Sequence, residues 1–400
     1  MEVNPLRFFA PLVIEASEST RMVQSVTLHK HGKMEGIKVE DTPIENSIPD
    51  SHVEVEVYYC GLSFTDNYLR LGIMRNDIFP VIMGSECCGV VTGVGNGVRD
   101  LQVGQRVLCL RMQGGLFRHI VHVPQASCFV VPDAMSLRTA VSLGLNFVVA
   151  HLCLFEFGCP KRTNTIFMDS IGGGVGTAVI KLARTVPGVK IFGTASESKH
   201  KKLLSLGADR LYRHEDKYVD AVLEAYPKGV DLVINSGGGK HFDQDFRMLT
   251  PSGRLITIGT NSSALYPKAA AWGLIRPTWD SKLVRTVEMI KKNHTMVGIN
   301  VGRLLQTYPK KIQFVLDRIF EMHSYGKITP CVHSIQPFER VVDGLAQLSE
   351  RENCGKVLLA VDKKTDVWDA PVPASGAAFT LTGYLGRPEC KDEKTGLDET

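Results

Sequence analysis

No C-x-x-C pair occurs anywhere in the 400 residues, although cysteine itself is not scarce: Cys60, Cys87, Cys88, Cys109, Cys128, Cys153, Cys159, Cys331, Cys354 and Cys390. Scattered thiols of this kind read as reduced cysteines of a cytoplasmic protein, and their spacing is not that of a structural four-cysteine zinc lobe. The vicinal Cys87-Cys88 is either a redox pair or two small apolar residues of a buried strand. An excess of one charge is lacking too. The net charge is +4 with 22% charged residues, and no long Lys/Arg stripe interleaves with aromatics, which excludes a dedicated nucleic-acid partner. The first five residues carry no basic region leading into an apolar core, so no signal peptide is expected. The most apolar stretch, 140–158, is broken by Asn146, His151 and Glu156 and reads as a buried helix rather than a membrane span.

What is present is patterned. Residues 1–20 read as a loose leader. Strands are expected at 22–29, 53–60, 88–92, 106–110 and 119–123, separated by glycine turns such as Gly93-Val94-Gly95-Asn96-Gly97. This part, to about residue 140, reads as a small β-rich barrel. A helix is then expected over 140–155. Strands at 165–168, 189–194, 230–235 and 254–259 alternate with helices at 175–185, 198–206 and 242–249, the pattern of a parallel, doubly wound sheet. After residue 300 come a helix (310–325), a strand (332–335), a helix (338–350) and a strand (356–361). Residues 362–400, rich in Pro, Gly, Thr and charge, read as a disordered tail.

The glycine turn is the most informative motif. A strand runs into Asp169-Ser170-Ile171-Gly172-Gly173-Gly174-Val175-Gly176, and a helix follows at once. Glycines there permit a tight turn and close approach of backbone N–H groups to a pyrophosphate at the helix N-terminus. The bland alternative is a structural turn. Gly173 and Gly176 fit the second and third glycines of G-x-G-x-x-G, which puts Ile171 at the first, where its bulk is expected to crowd the turn. The next strand ends in Gly193-Thr194-Ala195-Ser196-Glu197 with Lys199 beyond, and no acid stands at its tip to hold a ribose 2′-OH. Ser196 and Lys199, helped by Arg213 or His214, point to a 2′-phosphate, and hence to NADP(H) over NAD(H). A solvated lysine face is the alternative.

The chain resembles the medium-chain dehydrogenase/reductases, over about residues 21–361. The residues that carry this are Cys60-Gly61-Leu62, Leu145-Asn146-Phe147, Leu154-Phe155-Glu156-Phe157, Gly174-Val175-Gly176, Phe192-Gly193-Thr194-Ala195-Ser196, Lys199-His200, Gly229-Val230-Asp231 and Gly355-Lys356-Val357-Leu358-Leu359. Within that superfamily it is similar to the zinc-free quinone oxidoreductases, above all to the vesicle amine transport protein group. The resemblance implies an α/β fold: a GroES-like β-rich catalytic domain (21–143 and 300–361) with an inserted doubly wound Rossmann NADP-binding domain (144–299). It implies a cofactor set of Gly173, Gly174, Val175, Gly176, Ser196, Lys199, Arg213 and His214, completed by Asn235 and Gly259 at later strand ends. It also implies a homodimer formed through an edge strand of the Rossmann sheet.

Zinc-dependent relatives place Cys, His and a second His where this chain has Ser63, Phe64 and Ser85, leaving Glu86 alone, so no catalytic metal is expected. Without a metal, carbonyl polarisation needs hydrogen-bond donors near the nicotinamide, and the resemblance implies Ser63, Asp66 and Asn146 for that part. For Asn146 a satisfied core amide is the competing reading. Several polar positions of zinc-free relatives are altered, at Ser63, near Met74, at Val149-Ala150-His151 and at His214. Two functions stand. One is a zinc-independent NADPH reductase passing hydride to a quinone or an α,β-unsaturated carbonyl. The other is a catalytically weak nucleotide-binding regulatory protein, peripheral at vesicle or mitochondrial membranes. Residues 269–279, with Trp272 and Trp279, are a membrane- or dimer-facing loop on the second reading and a pocket or dimer wall otherwise.

Overall fold

The structure, a computed structural model, describes residues 19–74, 78–159, 163–259 and 286–361. Most of the leader, the tail beyond residue 361 and the 269–279 segment lie outside the described residues. Alternating residues set the first strands. β1 (Thr20–Leu28) pairs antiparallel with β2 (Ile37–Glu45). β3 (His52–Leu62) buries Val53, Val55 and Val57 and turns Glu54 and Glu56 to the other face. After α1 (Phe64–Leu71) come β4 (Val81–Ile82), β5 (Glu86–Val94), β6 (Arg106–Leu110), β7 (Ile120–Pro124) and β8 (Cys128–Val130). β2 escapes a sequence reading because its run, IKVEDTPIE, carries charges and a proline that mask the alternation. Cys87 and Cys88 are both fully buried and, as neighbours on β5, project to opposite faces into separate apolar clusters, the geometry of packing residues and not of a bonded pair.

The single helix expected over 140–155 is three pieces: α2 (Leu137–Ser142), α3 (Leu145–His151) and a π-helical turn, Leu152–Glu156. The break falls at Gly144, where a Cβ would lie 1.9 Å from Oε1 of Glu86. A carboxylate from β5 thus occupies the space a side chain would need.

The parallel sheet follows. β9 (Thr165–Met168), α4 (Gly174–Ala183), β10 (Lys190–Thr194), α5 (Glu197–Leu206), β11 (Arg210–Tyr212), α6 (Tyr218–Ala225), β12 (Val230–Asn235), α7 (Gly239–Arg247), β13 (Leu249–Thr257), α8 (Thr286–Lys292) and β14 (Thr295–Gly298) succeed one another. Their strands lie in the order β11-β10-β9-β12-β13-β14, all parallel, the doubly wound order that reverses direction beside β9. Helices cover both faces. Phe167, Phe192 and Tyr218 fill one side, with the rings of Phe167 and Tyr218 stacked at 5.4 Å. Each fully buried side chain of this size contributes about 1.5–3 kcal/mol.

The chain then returns through α9 (Val301–Thr307), α10 (Pro309–Ser324), β15 (Val332–Pro337), α11 (Val341–Ser349) and β16 (Lys356–Ala360). β16 pairs antiparallel with β3, placing Leu359 opposite Cys60, and β15 runs parallel to β16. One seven-stranded sheet therefore holds strands from both ends of the chain, and the doubly wound sheet is inserted between them. The GroES-like body with an inserted Rossmann sheet is the architecture observed.

Candidate active site

At the crevice beside β9, where the strand order reverses, the two bodies enclose a cleft with about 1230 Å³ of empty space, open to solvent. The glycine turn forms one wall. Ile171 N–H donates to Thr194 O at 3.0 Å, and Ser170 N–H to Thr194 Oγ1 at 3.0 Å, which ties the turn to β10. The one left-handed residue of the turn is Ser170 (φ 52°), not a glycine. The glycines supply room instead. A Cβ on Gly176 would sit 2.1 Å from Ile171 O, and one on Gly174 would meet the Asn146 amide at 2.2 Å. Ile171 does not crowd the turn as expected. It is fully buried beneath it, and Gly193 on β10 makes its space, since a Cβ there would stand 3.0 Å from that of Ile171. α4 begins with no side-chain cap, so the backbone N–H groups of Gly174, Val175 and Gly176 at its N-terminus are available to an anion. That is the cradle a pyrophosphate requires.

At one end of the cleft, Ser63, Phe64, Thr65 and Tyr68 of the α1 region face Asn146 and Val149 of α3. Asn146 is half-buried and lines the cleft against Gly174, which places it away from the apolar interior of α3. Ser63 Oγ lies 2.5 Å from Thr65 Oγ1 and 3.2 Å from Asp66 Oδ2. Asp66 does not line the cleft. It is fully buried one step behind, accepts from Ser63 N–H at 2.8 Å and lies 3.4 Å from Gln113 Nε2. Burial pushes its carboxyl up to about 6, against the opposing pull of the Ser63 hydrogen bonds and the Lys356 charge. Asp66 is thus joined by a hydrogen bond to Ser63, which lines the cleft.

Two charged residues that the sequence reading did not assign stand at this end, Lys356 in the cleft wall and Glu86 behind it. Lys356, the lysine of the closing GKVLL run, is buried and ion-paired with fully buried Glu86, whose Oε1 also accepts Leu145 N–H at 2.5 Å. Gly61 and Gly144 are glycines because this pair fills the space beside them: a Cβ on Gly61 would lie 2.2 Å from Glu86 Oε2. Ser85 is occupied as acceptor for Gln113 N–H at 2.9 Å. Among the described residues no group of three His, Cys, Asp or Glu is arranged to hold a metal ion.

At the opposite end stand Ala195, Ser196, Lys199 and His214, joined by Arg351 and Asn353 from the loop before β16. Ser196 is exposed and its hydroxyl does not cap α5. Lys199 lines the cleft, but its ammonium donates to the carbonyls of Arg351 (2.5 Å) and Asn353 (2.8 Å), which commits it to gripping the closing loop. Burial, and then the Arg351 charge, hold it below the ordinary lysine range. Two sequence expectations are corrected here. Arg213 is exposed and paired with Asp216 (2.9 Å) and Glu215 (3.8 Å), outside the cleft. Asn235 is fully buried, accepting Gly238 N–H at 2.8 Å and donating to Asp245, so it fastens β12 to α7, and Ser236 is the residue that reaches the cleft. Gly259 lines the cleft beside Ile258. Arg351 and Asn353 carry no motif of their own and become visible only once the loop is folded against α5.

Comparison with known proteins places this geometry. The family model described as "Zinc-binding dehydrogenase" matches residues 174–317, and that described as "Alcohol dehydrogenase GroES-like domain" matches residues 49–133. The human synaptic vesicle membrane protein VAT-1 homolog is 33% identical over 341 residues, covering 84% of this chain and 86% of that protein. The crystal structure of the human VAT-1 homolog-like protein superposes with a TM-score of 0.73 at 26% identity, covering 86% of this chain and 99% of the other. Escherichia coli quinone oxidoreductase, in its complex with NADPH, shares the fold at a TM-score of 0.71 and 22% identity, over 84% and 100% of the two chains. Fold, inserted domain and sequence agree, and the chain belongs to the medium-chain dehydrogenase/reductase superfamily, among the VAT-1 homologues.

Proposed function

We propose that the chain is a zinc-independent, NADPH-dependent oxidoreductase that transfers hydride to a quinone or an α,β-unsaturated carbonyl. The observation that carries this is the cleft itself. An anion cradle at the α4 N-terminus sits between a polar, cation-bearing end (Ser196, His214, Arg351) and a largely apolar end with two hydrogen-bond groups, Ser63 and Asn146. Bound there, NADPH supplies the hydride, as nicotinamide cofactors do. The N–H groups of residues 174–176 hold the pyrophosphate. Ser196 and Arg351 take the 2′-phosphate, with Arg351 in the role that Lys199 cannot fill while its ammonium serves the loop. Phe64, Tyr68, Val149 and Val301 offer a largely apolar wall to a flat acceptor. Ser63 and Asn146 orient and polarise the acceptor oxygen, and Asp66 returns a proton through Ser63 Oγ.

The test is a titration of the protein into NADPH followed by nicotinamide fluorescence, then addition of a panel of quinones and enones with NADPH consumption read optically. Binding with turnover is expected. Replacing Arg351 by Ala should weaken NADPH about tenfold or more and leave NADH nearly unchanged, one charge-assisted contact being about 1.5–3 kcal/mol. Equal losses for both cofactors would overturn the assignment of Arg351.

A second reading has a specific support: Ser63 Oγ is already engaged by Thr65 and Asp66, a modest electrophilic site. A nucleotide-binding regulatory protein, peripheral to a membrane, fits that, and the relatives are named as vesicle membrane proteins. No helix among the described residues is long and apolar enough to cross a membrane. Tight NADPH binding without turnover across the panel would favour this reading over the first. On either reading β14, paired only with β13 among the described residues, is the edge through which two copies would join their sheets.

A further inference from the structure

The loop that closes the cofactor end of the cleft also carries a thiol pair. Cys331, just before β15, is half-buried, and Cys354, in the loop before β16, is 4% exposed. Cys331 Sγ lies 3.3 Å from Cys354 O, which brings the two cysteines side by side. Lys202 Nζ lies 3.4 Å from the same Cys354 carbonyl, and His333 Nδ1 accepts Cys354 N–H at 3.2 Å. Gly355 follows in the left-handed region (φ 104°), which favours glycine, and a Cβ there would also stand 2.2 Å from Cys331 O and 2.9 Å from its sulfur. Its N–H reaches Gly172 O of the glycine turn at 3.3 Å, and Lys356 N–H bonds Cys331 O at 2.8 Å. The pair is thus wired by backbone hydrogen bonds to the glycine turn on one side and to the Lys199 grip on the other.

We propose that Cys331 and Cys354 form a peroxide-reactive thiol pair, with Cys331 attacking and Cys354 resolving, whose oxidation loosens the cofactor end of the cleft. The neighbouring Cys354, and then Lys202 and Lys181, hold the Cys331 thiol down at about 6, while Cys331 and burial push Cys354 up. The roles follow from this asymmetry and from exposure. The Cys331 thiolate attacks one oxygen of hydrogen peroxide. An S–O bond forms, the O–O bond breaks and the departing hydroxide leaves as water. The Cys354 thiol then attacks the sulfenic sulfur; S–S forms, S–O breaks and a second water leaves. Two thiols are oxidised by two electrons and one peroxide is reduced to two waters. Closing the bond displaces Cys331 Sγ from its 3.3 Å contact with Cys354 O and draws on the backbone between Asn353 and Gly355, both of which line the cleft. Cys60, Cys87, Cys88 and Cys109 are fully buried and closed to the oxidant. Cys159, also half-buried, has no thiol partner among the described residues and serves as an internal control.

The effect on nucleotide binding rests on the reading of the cleft given above; the disulfide itself does not. The reduced full chain is exposed to graded hydrogen peroxide, quenched by alkylation and digested for peptide mass spectrometry. A linked 331–354 peptide, lost on treatment with dithiothreitol, is expected at peroxide levels that leave Cys159 free. Cys354→Ser should leave Cys331 as a sulfenic acid trapped by dimedone. Oxidation of Cys159 ahead of Cys331, or Cys331 passing to sulfinic acid with no link, overturns the proposal. The NADPH titration is run in parallel on reduced and oxidised protein. Affinity should fall several-fold on oxidation and recover on reduction, with Cys331→Ser unaffected. A link that forms without any change in affinity overturns the coupling. Failure of the reduced protein to bind NADPH instead refutes the cleft reading, and the linked peptide still decides the thiol chemistry.

Discussion

Asp66 shows how far a side chain's surroundings set its behaviour. In an unfolded chain its carboxyl titrates near 3.9; buried behind Ser63 it titrates at about 6. The raised value means that the folded state holds the proton more tightly. Its contribution to stability is present in full below about pH 4 and is lost as the pH rises through 6, after which a buried charge is carried. Two units correspond to about 3 kcal/mol. Asp66→Asn should therefore destabilise the protein relative to wild type more at pH 4 than at pH 7, the difference between the two narrowing or reversing by up to that amount in urea melts. A wild-type minus variant difference that is flat across this window would mean that Asp66 does not titrate there.

At the scale of the element, the glycine turn separates two reasons for glycine that look alike in the sequence. Gly176 is required by packing, because its Cβ would stand 2.1 Å from the Ile171 carbonyl, whereas a Cβ on Gly173 would meet nothing nearer than Ser170 O at 3.5 Å. Gly176→Ala should lower stability by about 1–3 kcal/mol as the start of α4 shifts to relieve the overlap. Gly173→Ala should leave thermal unfolding within a degree or two but intrude on the cradle and weaken NADPH. Melting curves and the fluorescence titration, run on both variants, distinguish the two. Equal melting temperatures for both would show that the turn has slack that the structure does not display.

At the scale of the molecule, the Glu86–Lys356 pair joins β5, the returning strand β16 and the first turn of α3, and so fixes the inserted sheet against the body that carries it. Both side chains are almost fully shielded from water, Lys356 at 3% and Glu86 at 0% exposure. Lys356→Met strands a buried carboxylate and should cost about 3–5 kcal/mol, while the double variant Lys356→Met with Glu86→Gln should recover a large part of that. Denaturant midpoints measure it, and a strictly additive double variant would argue against the pair as a unit. Lys199 works at the same scale, holding α5 to the loop that carries Arg351, Asn353 and Cys354.

Local pattern determined much of this protein. The alternation in β3, the strand-turn-helix succession from β9 onward and the glycine cluster before α4 are all readable within a few residues, since burial of one face and freedom at a turn are local demands on the chain. Gly173, Gly174, Val175, Gly176, Ser196, Lys199 and His214 follow from such patterns, Ser63, Asn146 and Gly259 from the family resemblance, and all of them line the cleft. Tertiary structure decided what those residues are free to do. Lys199 is held by a carbonyl 152 positions away, Glu86 by a lysine 270 positions away, and Arg213 is drawn off by acids on its own loop. Ile171, a misfit in the motif, is accommodated by a glycine on the next strand. A sequence states which charges and bulky groups exist; which of them are already neutralised or accommodated depends on partners that only the folded chain brings within reach.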